Sequence, residues 1–110
     1  MSVTEKLDVL APFEIWEVLL DNSTIKFHSP LILTPVILDA GTPGECFFVE
    51  HPALDISAVG IDREELLSCL RSDIRMTWKR VVQKRDNELS HEDLTTKRNF
   101  LGIAEEVDYG

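Results

Sequence analysis

Three residues that could do nucleophilic or acid–base chemistry lie close together near the middle of the chain. Cys46, His51 and Asp55 fall within ten residues, and a thiol, an imidazole and a carboxylate are the groups that a cysteine nucleophile uses. The spacing speaks against such a set, because Cys46 and His51 are five residues apart and would lie on opposite faces of one strand. We therefore expect no catalytic residue here.

The three histidines, His28, His51 and His91, are scattered along the sequence. None has the i, i+4 spacing or the cysteine-pair context that is typical of a metal site. Two cysteines, Cys46 and Cys69, are too few for a disulfide framework, so reduced thiols in a cytoplasmic protein are the simpler interpretation. We expect surface or turn histidines, no metal and no cofactor.

Arg71, Arg75 and Lys79 form a basic row at i, i+4 spacing. Such a row could follow a phosphate backbone or meet acidic residues of a partner. The net charge of −9 favours a solvated helix side instead. Residues 1–60 carry nine acidic and two basic side chains, so they should repel nucleic acid. The same acidity could attract a basic protein as a partner.

A long amphipathic helix is the element that positions these groups, and we expect it from Asp62 to about Lys84. Asp62 can accept hydrogen bonds from the first free N–H groups, and Glu65 has capping-box spacing from it. Apolar residues then recur every three or four positions, which predicts one buried side. These residues, with Thr77 among them, are Leu66, Leu70, Ile74, Thr77, Trp78 and Val81.

Strands are predicted before this helix, at 13–20, 24–27, 31–38, 46–50 and 54–59. Pro30 and Pro35 interrupt the apolar run 31–38, so it should be an edge strand, a bulged strand or two short strands. An apolar edge of this kind needs a cover or a partner chain.

A second helix is expected from His91 to about Val107, after a polar linker, with Ser90 and Asp93 at capping-box spacing. The first eleven residues should be loosely held or docked at an edge. The order of elements predicts one α+β domain over 1–110: a small antiparallel sheet of three to four strands, a long helix across it and a short C-terminal helix within 86–110.

Residues 46–82 resemble the HicB-like antitoxin family, whose members show a strand, a Pro-x-Leu turn, another strand and a capped helix. The matching residues are Phe48-Val49-Glu50-His51-Pro52-Ala53-Leu54, Ser57, Gly60-Ile61-Asp62-Arg63-Glu64-Glu65-Leu66, Leu70 and Ile74. The resemblance implies partner binding, such as neutralisation of a small basic RNase toxin. It leaves open whether the C-terminal helix binds DNA or only docks on the domain.

The sequence thus favours a non-enzymatic, cytoplasmic protein-interaction module that forms a homodimer. No apolar run is long enough to predict a membrane span. Two alternatives stay open: a self-associating structural protein, and a ligand-binding domain or enzyme with a pocket between sheet and helix, lined by Cys46, His51 and Asp55. The expected protein-interface residues are Leu31, Leu33, Val36, Leu38 and Trp78.

Overall fold

The computed structural model describes residues 3–108, which form six strands and three longer helices. In chain order these are α1 (Val3–Leu10), β1 (Phe13–Leu19), β2 (Ser23–Leu33), β3 (Val36–Leu38), β4 (Cys46–His51), β5 (Ile56–Gly60), α2 (Arg63–Thr77), α3 (His91–Leu101) and β6 (Ala104–Asp108). Two 3-10 turns, Pro52–Leu54 and Asp86–Glu88, join neighbouring elements. The predicted α+β class is confirmed.

The strands divide into two antiparallel sheets of three strands each, where we expected one sheet of three to four. Sheet A has the order β1-β2-β6, and sheet B has the order β3-β4-β5. The apolar run 31–38 is divided between them: Leu31 and Leu33 lie at the end of β2, whereas Val36 and Leu38 bound β3. This separation at Thr34 and Pro35 follows from the missing N–H of proline, which cannot donate to a ladder.

Helix α2 forms as predicted at its start, where Asp62 Oδ1 accepts from the Glu65 N–H at 2.8 Å. The helix continues from Thr77 into a π-helical turn, Trp78–Val82, so it ends two residues before the expected Lys84. Its predicted buried side is confirmed, and the large side chains on it are less than 1% exposed. They are Leu66, Leu70, Ile74, Trp78 and Val81.

Proline is accommodated in β2 by an irregular register. Ile15 pairs with Leu31, but Glu17 already pairs with Lys26, so β2 has three more residues than β1 between these pairs. The extra residues around Pro30 form a bulge, which removes the need for a proline N–H in the ladder. The expected interruption at Pro30 is therefore a bulge inside one continuous strand.

The predicted C-terminal helix forms, but its predicted end at Val107 is wrong. Ser90 Oγ accepts from the Asp93 N–H at 3.1 Å as expected, but α3 ends at Leu101. Gly102 is the C-cap, and β6 then pairs with β2 over Ser23–Phe27. Without β6, one side of β2 would be an unpaired edge. The hydrogen bonds of the β2–β6 ladder stabilise the strand more than the weak helical periodicity of residues 104–107 stabilises a helix.

The core lies where α2, α3 and the inner faces of both sheets meet. Trp78 and Phe100 are in T-shaped contact at its centre, with ring centroids 5.5 Å apart. At the N-terminus, α1 contacts α2 and buries Val9. Of the eleven residues predicted to be loosely held or docked at an edge, the first two lie outside the described part. Within residues 3–108, no helix combines the length and the apolar character needed to cross a membrane.

Candidate functional site

The structure does not assemble the cysteine, histidine and aspartate of the chain's middle into one site. Cys46 begins β4 and His51 ends it, so the two lie roughly 16 Å apart along the strand. Asp55 follows in a left-handed turn, with φ of 53°, and its carboxylate accepts from Arg80 Nη2 at 2.8 Å. A cavity of about 590 Å³ beside Asp55 is lined by neither Cys46 nor His51.

Two histidines line one cavity, although nothing in their sequence spacing predicts it. His28 and His51 line a cavity of about 450 Å³ at the β2 bulge, together with Ser29 and Ile103. His51 Nδ1 is buried and has no hydrogen-bond partner among the described residues. The lining includes no carboxylate or thiol from the described part of the chain. Nor do residues 3–108 bring together three side chains that could hold a metal ion.

The basic row on α2 binds the edge of sheet A, an outcome that neither interpretation of the row anticipated. Arg71 Nη1 donates to the Glu17 carbonyl at 3.0 Å, and Arg75 Nε donates to the Leu19 carbonyl at 2.8 Å. Lys79 Nζ pairs with Asp21 Oδ2 at 3.2 Å. The two arginines occupy carbonyls on the edge of β1 that β2 does not use, which opposes the addition of a new strand there.

Arg63, at the start of α2, extends this closure to the segment before β1. Its guanidinium donates to the carbonyls of Asp8, Ala11 and Pro12 at 3.1, 2.6 and 3.0 Å. It also lies 4.1 Å from the centroid of the Phe13 ring, a cation–π contact. Capping and dipole arguments place Arg63 near the helix start but do not reveal these distant acceptors.

Helix α2 closes an edge of sheet B as well. On β5, the Ser57 N–H donates to Asp73 Oδ2 at 2.8 Å. Because β5 packs along α2, the helix covers the inner edge of each sheet, β1 on one side and β5 on the other. The outer edges, β3 and β6, receive no such cover from the described residues.

A patch of apolar side chains covers the outward side of sheet B, and we call it the apolar face. Val36, Phe48 and Val59 are directly opposite one another across the three strands, so they project from the same side. Val36 and Val59 are about half exposed, Phe48 is partly exposed, and Leu38 lies two residues beyond Val36 on β3. The face thus adjoins the open β3 edge.

The predicted interface residues fall into two groups. Val36 and Leu38 are exposed, on the apolar face, and stay candidates for an interface. Leu31, Leu33 and Trp78 are buried in the core, so assigning them to an exposed surface is wrong. Periodicity within the run 31–38 cannot reveal this, because residues 31–33 and 36–38 belong to different sheets. The sequence reasoning also missed Phe48 and Val59, which share their face with Val36.

Glu106 is an unexpected polar anchor between β6 and the end of α2. Its Oε1 accepts from Trp78 Nε1 at 2.6 Å and from Gln83 Nε2 at 3.1 Å, and its Oε2 accepts from Ser23 Oγ at 3.1 Å. The hydrogen bond from Gln83, followed by those from Trp78 and Ser23, lowers the pKa of Glu106 against the opposing effect of burial. The carboxylate therefore satisfies the buried indole N–H.

Comparisons with protein-family models, with curated proteins and with solved structures find no match to this chain. The geometry of the described residues is the main guide to function. Among residues 3–108, this geometry offers a cavity lined by two histidines, an apolar face beside the uncovered β3 edge, and an acidic uncovered edge at β6.

Proposed function

We propose that this protein is a non-enzymatic protein-interaction module that forms a homodimer through the apolar face of sheet B and the β3 edge. The observation that carries the proposal is the apolar row Val36–Phe48–Val59 on the outward side of sheet B. This row includes β3, an edge strand that no other element of residues 3–108 covers. Exposed apolar surface of this kind is typical of interaction sites. An uncovered apolar edge is also an aggregation hazard that pairing removes.

A second copy is the occupant that the charges favour. Two chains of net charge −9 repel each other over most of their surfaces. Strand β3 carries no charged residue. The acidic residue on the outward side of β4 is Glu50, which lies near the end of that strand, away from Cys46 and Leu38. Two copies can therefore meet here with least repulsion, and antiparallel β3–β3 pairing about a two-fold axis would give one six-stranded sheet.

Light scattering after size-exclusion chromatography tests this proposal. We expect a mass of twice 12.5 kDa for the natural sequence at micromolar concentration, and a monomer for Val36→Lys and for Val59→Lys. Ile32→Lys is the matched control, because Ile32 is a strand residue of similar exposure on sheet A. A monomeric natural protein, or equal dissociation by the control, would contradict the proposal.

A second candidate function is that of an antitoxin-type inhibitor of a small basic protein such as an RNase toxin. The support is the resemblance of residues 46–82 to HicB-like proteins, together with the acidic charge of the chain. The order β4, 3-10 turn at Pro52, β5 and capped α2 agrees with the pattern quoted for that family. A gene for a basic ribonuclease beside this one, whose product this protein inhibits, would support the role.

The His28–His51 cavity keeps a ligand-binding alternative open. Its volume falls in the range of small-molecule sites, and His51 offers a ring nitrogen without a partner among the described residues. The pocket expected from the sequence, with Cys46 and Asp55 beside His51, does not form. The His28–His51 cavity would instead bind a ligand through imidazole and apolar contacts. Changes in the NMR signals of both rings on addition of a ligand would support it.

A further inference from the structure

Strand β6, like β3, is an outer strand whose free edge no other element of residues 3–108 covers. It is the outer strand of sheet A and pairs with β2 on one side. From residues 3–108, no hydrogen bond of another element reaches the backbone of Ala104–Asp108 on its other side. The contrast with β1 is clear, since α2 supplies arginine donors to the free carbonyls of that strand.

The charge of β6 distinguishes this edge from β3. Three of its five residues are acidic, Glu105, Glu106 and Asp108. Glu106 is held by Trp78, Gln83 and Ser23, but Glu105 and Asp108 are exposed and make no ion pair within the described part of the chain. Asp21 lines the same cavity as Asp108 but is paired with Lys79, so the free negative charge of this edge comes from β6 itself.

We infer that the β6 edge binds a basic, extended segment of a partner protein by strand addition. Backbone hydrogen bonds would extend sheet A to four strands. Glu105 and Asp108 lie on opposite faces of the sheet, so basic side chains on both faces of the added strand would pair with them. A second copy does not suit this edge, because its own acidic strand would bring like charges opposite each other. The inference rests on the proposed protein-binding role but uses a surface other than the dimer face.

Binding of a labelled peptide of Lys-Lys-Val repeats, which has lysines on both faces when it is extended, tests this inference by fluorescence anisotropy. We expect saturable binding of one peptide per chain, weakened about tenfold by the double change Glu105→Lys and Asp108→Lys, since two charge pairs are reversed. Glu14→Lys with Glu92→Lys is the control. It changes the net charge equally at exposed positions away from β6 and should retain most of the affinity.

A peptide of the same sequence with backbone N-methyl groups separates strand addition from simple charge attraction. It keeps every lysine but cannot donate hydrogen bonds to an edge strand, so it should not bind measurably. Absence of binding by the unmodified peptide, equal binding of both peptides, or an equal loss in the control variant would overturn the inference. Measured on Val36→Lys as well, the result does not depend on whether the dimer forms.

Discussion

At the residue scale, Glu106 shows how one carboxylate joins distant segments. Trp78 is less than 1% exposed, yet its indole N–H has a partner because Glu106 Oε1 lies 2.6 Å away. A buried donor without an acceptor costs about 1–3 kcal/mol. The position of this carboxylate depends on the β2–β6 ladder, so the residues near Trp78 in the sequence carry no sign of it.

The first prediction concerns this anchor. Glu106→Leu leaves the Trp78 N–H without its acceptor and should lower the free energy of unfolding by about 1–3 kcal/mol. Glu106→Gln keeps a carbonyl oxygen that can accept, so it should lower the free energy by less. Urea unfolding followed by tryptophan fluorescence measures both. Equal stability of the leucine variant and the natural protein would contradict the role of Glu106.

The lowered pKa of Glu106 gives a second prediction, on acid stability. Since the folded state holds the ionised carboxylate, its contribution is present above the ordinary glutamate pKa of about 4.3 and is lost as pH falls through the lower folded pKa. Stability of the natural protein should therefore fall more between neutral and acidic pH than that of Glu106→Gln. Urea midpoints across this range measure the difference, and parallel pH profiles would contradict it.

Gly60 gives a third prediction, because its backbone approaches α2 too closely for a side chain. A Cβ at this position would lie 2.8 Å from the Leu66 nitrogen and 3.0 Å from the Leu66 Cα. Gly60→Ala should therefore cost about 1–3 kcal/mol of stability, as overpacking does. Gly44→Ala is the control, since its Cβ would meet side-chain atoms at ordinary distances, 3.7 and 3.9 Å. Equal thermal midpoints for the two variants would show that α2 can shift away.

At the scale of elements, α2 joins the two sheets. It presents arginines to the carbonyl edge of β1 and an aspartate to the N–H of Ser57 on β5. The same helix buries its apolar side between them. Its polar residues thus close two strand edges, whereas the β3 and β6 edges, which the helix does not reach, have no cover from the part of the chain that the structure describes.

The fourth prediction tests this closure. Arg71→Ala with Arg75→Ala removes two donors from the β1 carbonyls and should cost about 1 kcal/mol, since the bonds are exposed. The β1 amides should also exchange faster with solvent. Arg85→Ala, whose side chain is mostly exposed and pairs with Glu88 three residues on, is the control. If the double variant matches this control in β1 exchange, the arginines do not protect the edge.

Sequence reasoning succeeded where a structural signal is local. The Asp62 cap, the apolar side of α2 and the Ser90 cap each depend on residues within a few positions of one another, and all three formed as predicted. It failed where the outcome depends on a distant partner. The residues around Glu106 form a strand because β2 lies beside them. The acceptor of Arg71, the Glu17 carbonyl, lies more than fifty residues away in the sequence.

At the scale of the whole molecule, the acidic charge and the two open edges act together. The β3 edge is apolar and adjoins an uncharged row, whereas the β6 edge is acidic. In the dimer that we propose, copies of net charge −9 would meet at the apolar face, where they repel each other least. The acidic edge is then free for a partner of opposite charge, so the two interactions need not compete.

Hydrogen–deuterium exchange at low and at high protein concentration tests the central claim most directly. If two copies pair through sheet B, the amides of Val36–Leu38 should become protected as the concentration rises, while those of Ala104–Asp108 should not change. The Val36→Lys variant should show no such concentration dependence. Exchange in β3 that is equally fast at both concentrations, or protection that grows at β6 instead, would contradict the proposed dimer.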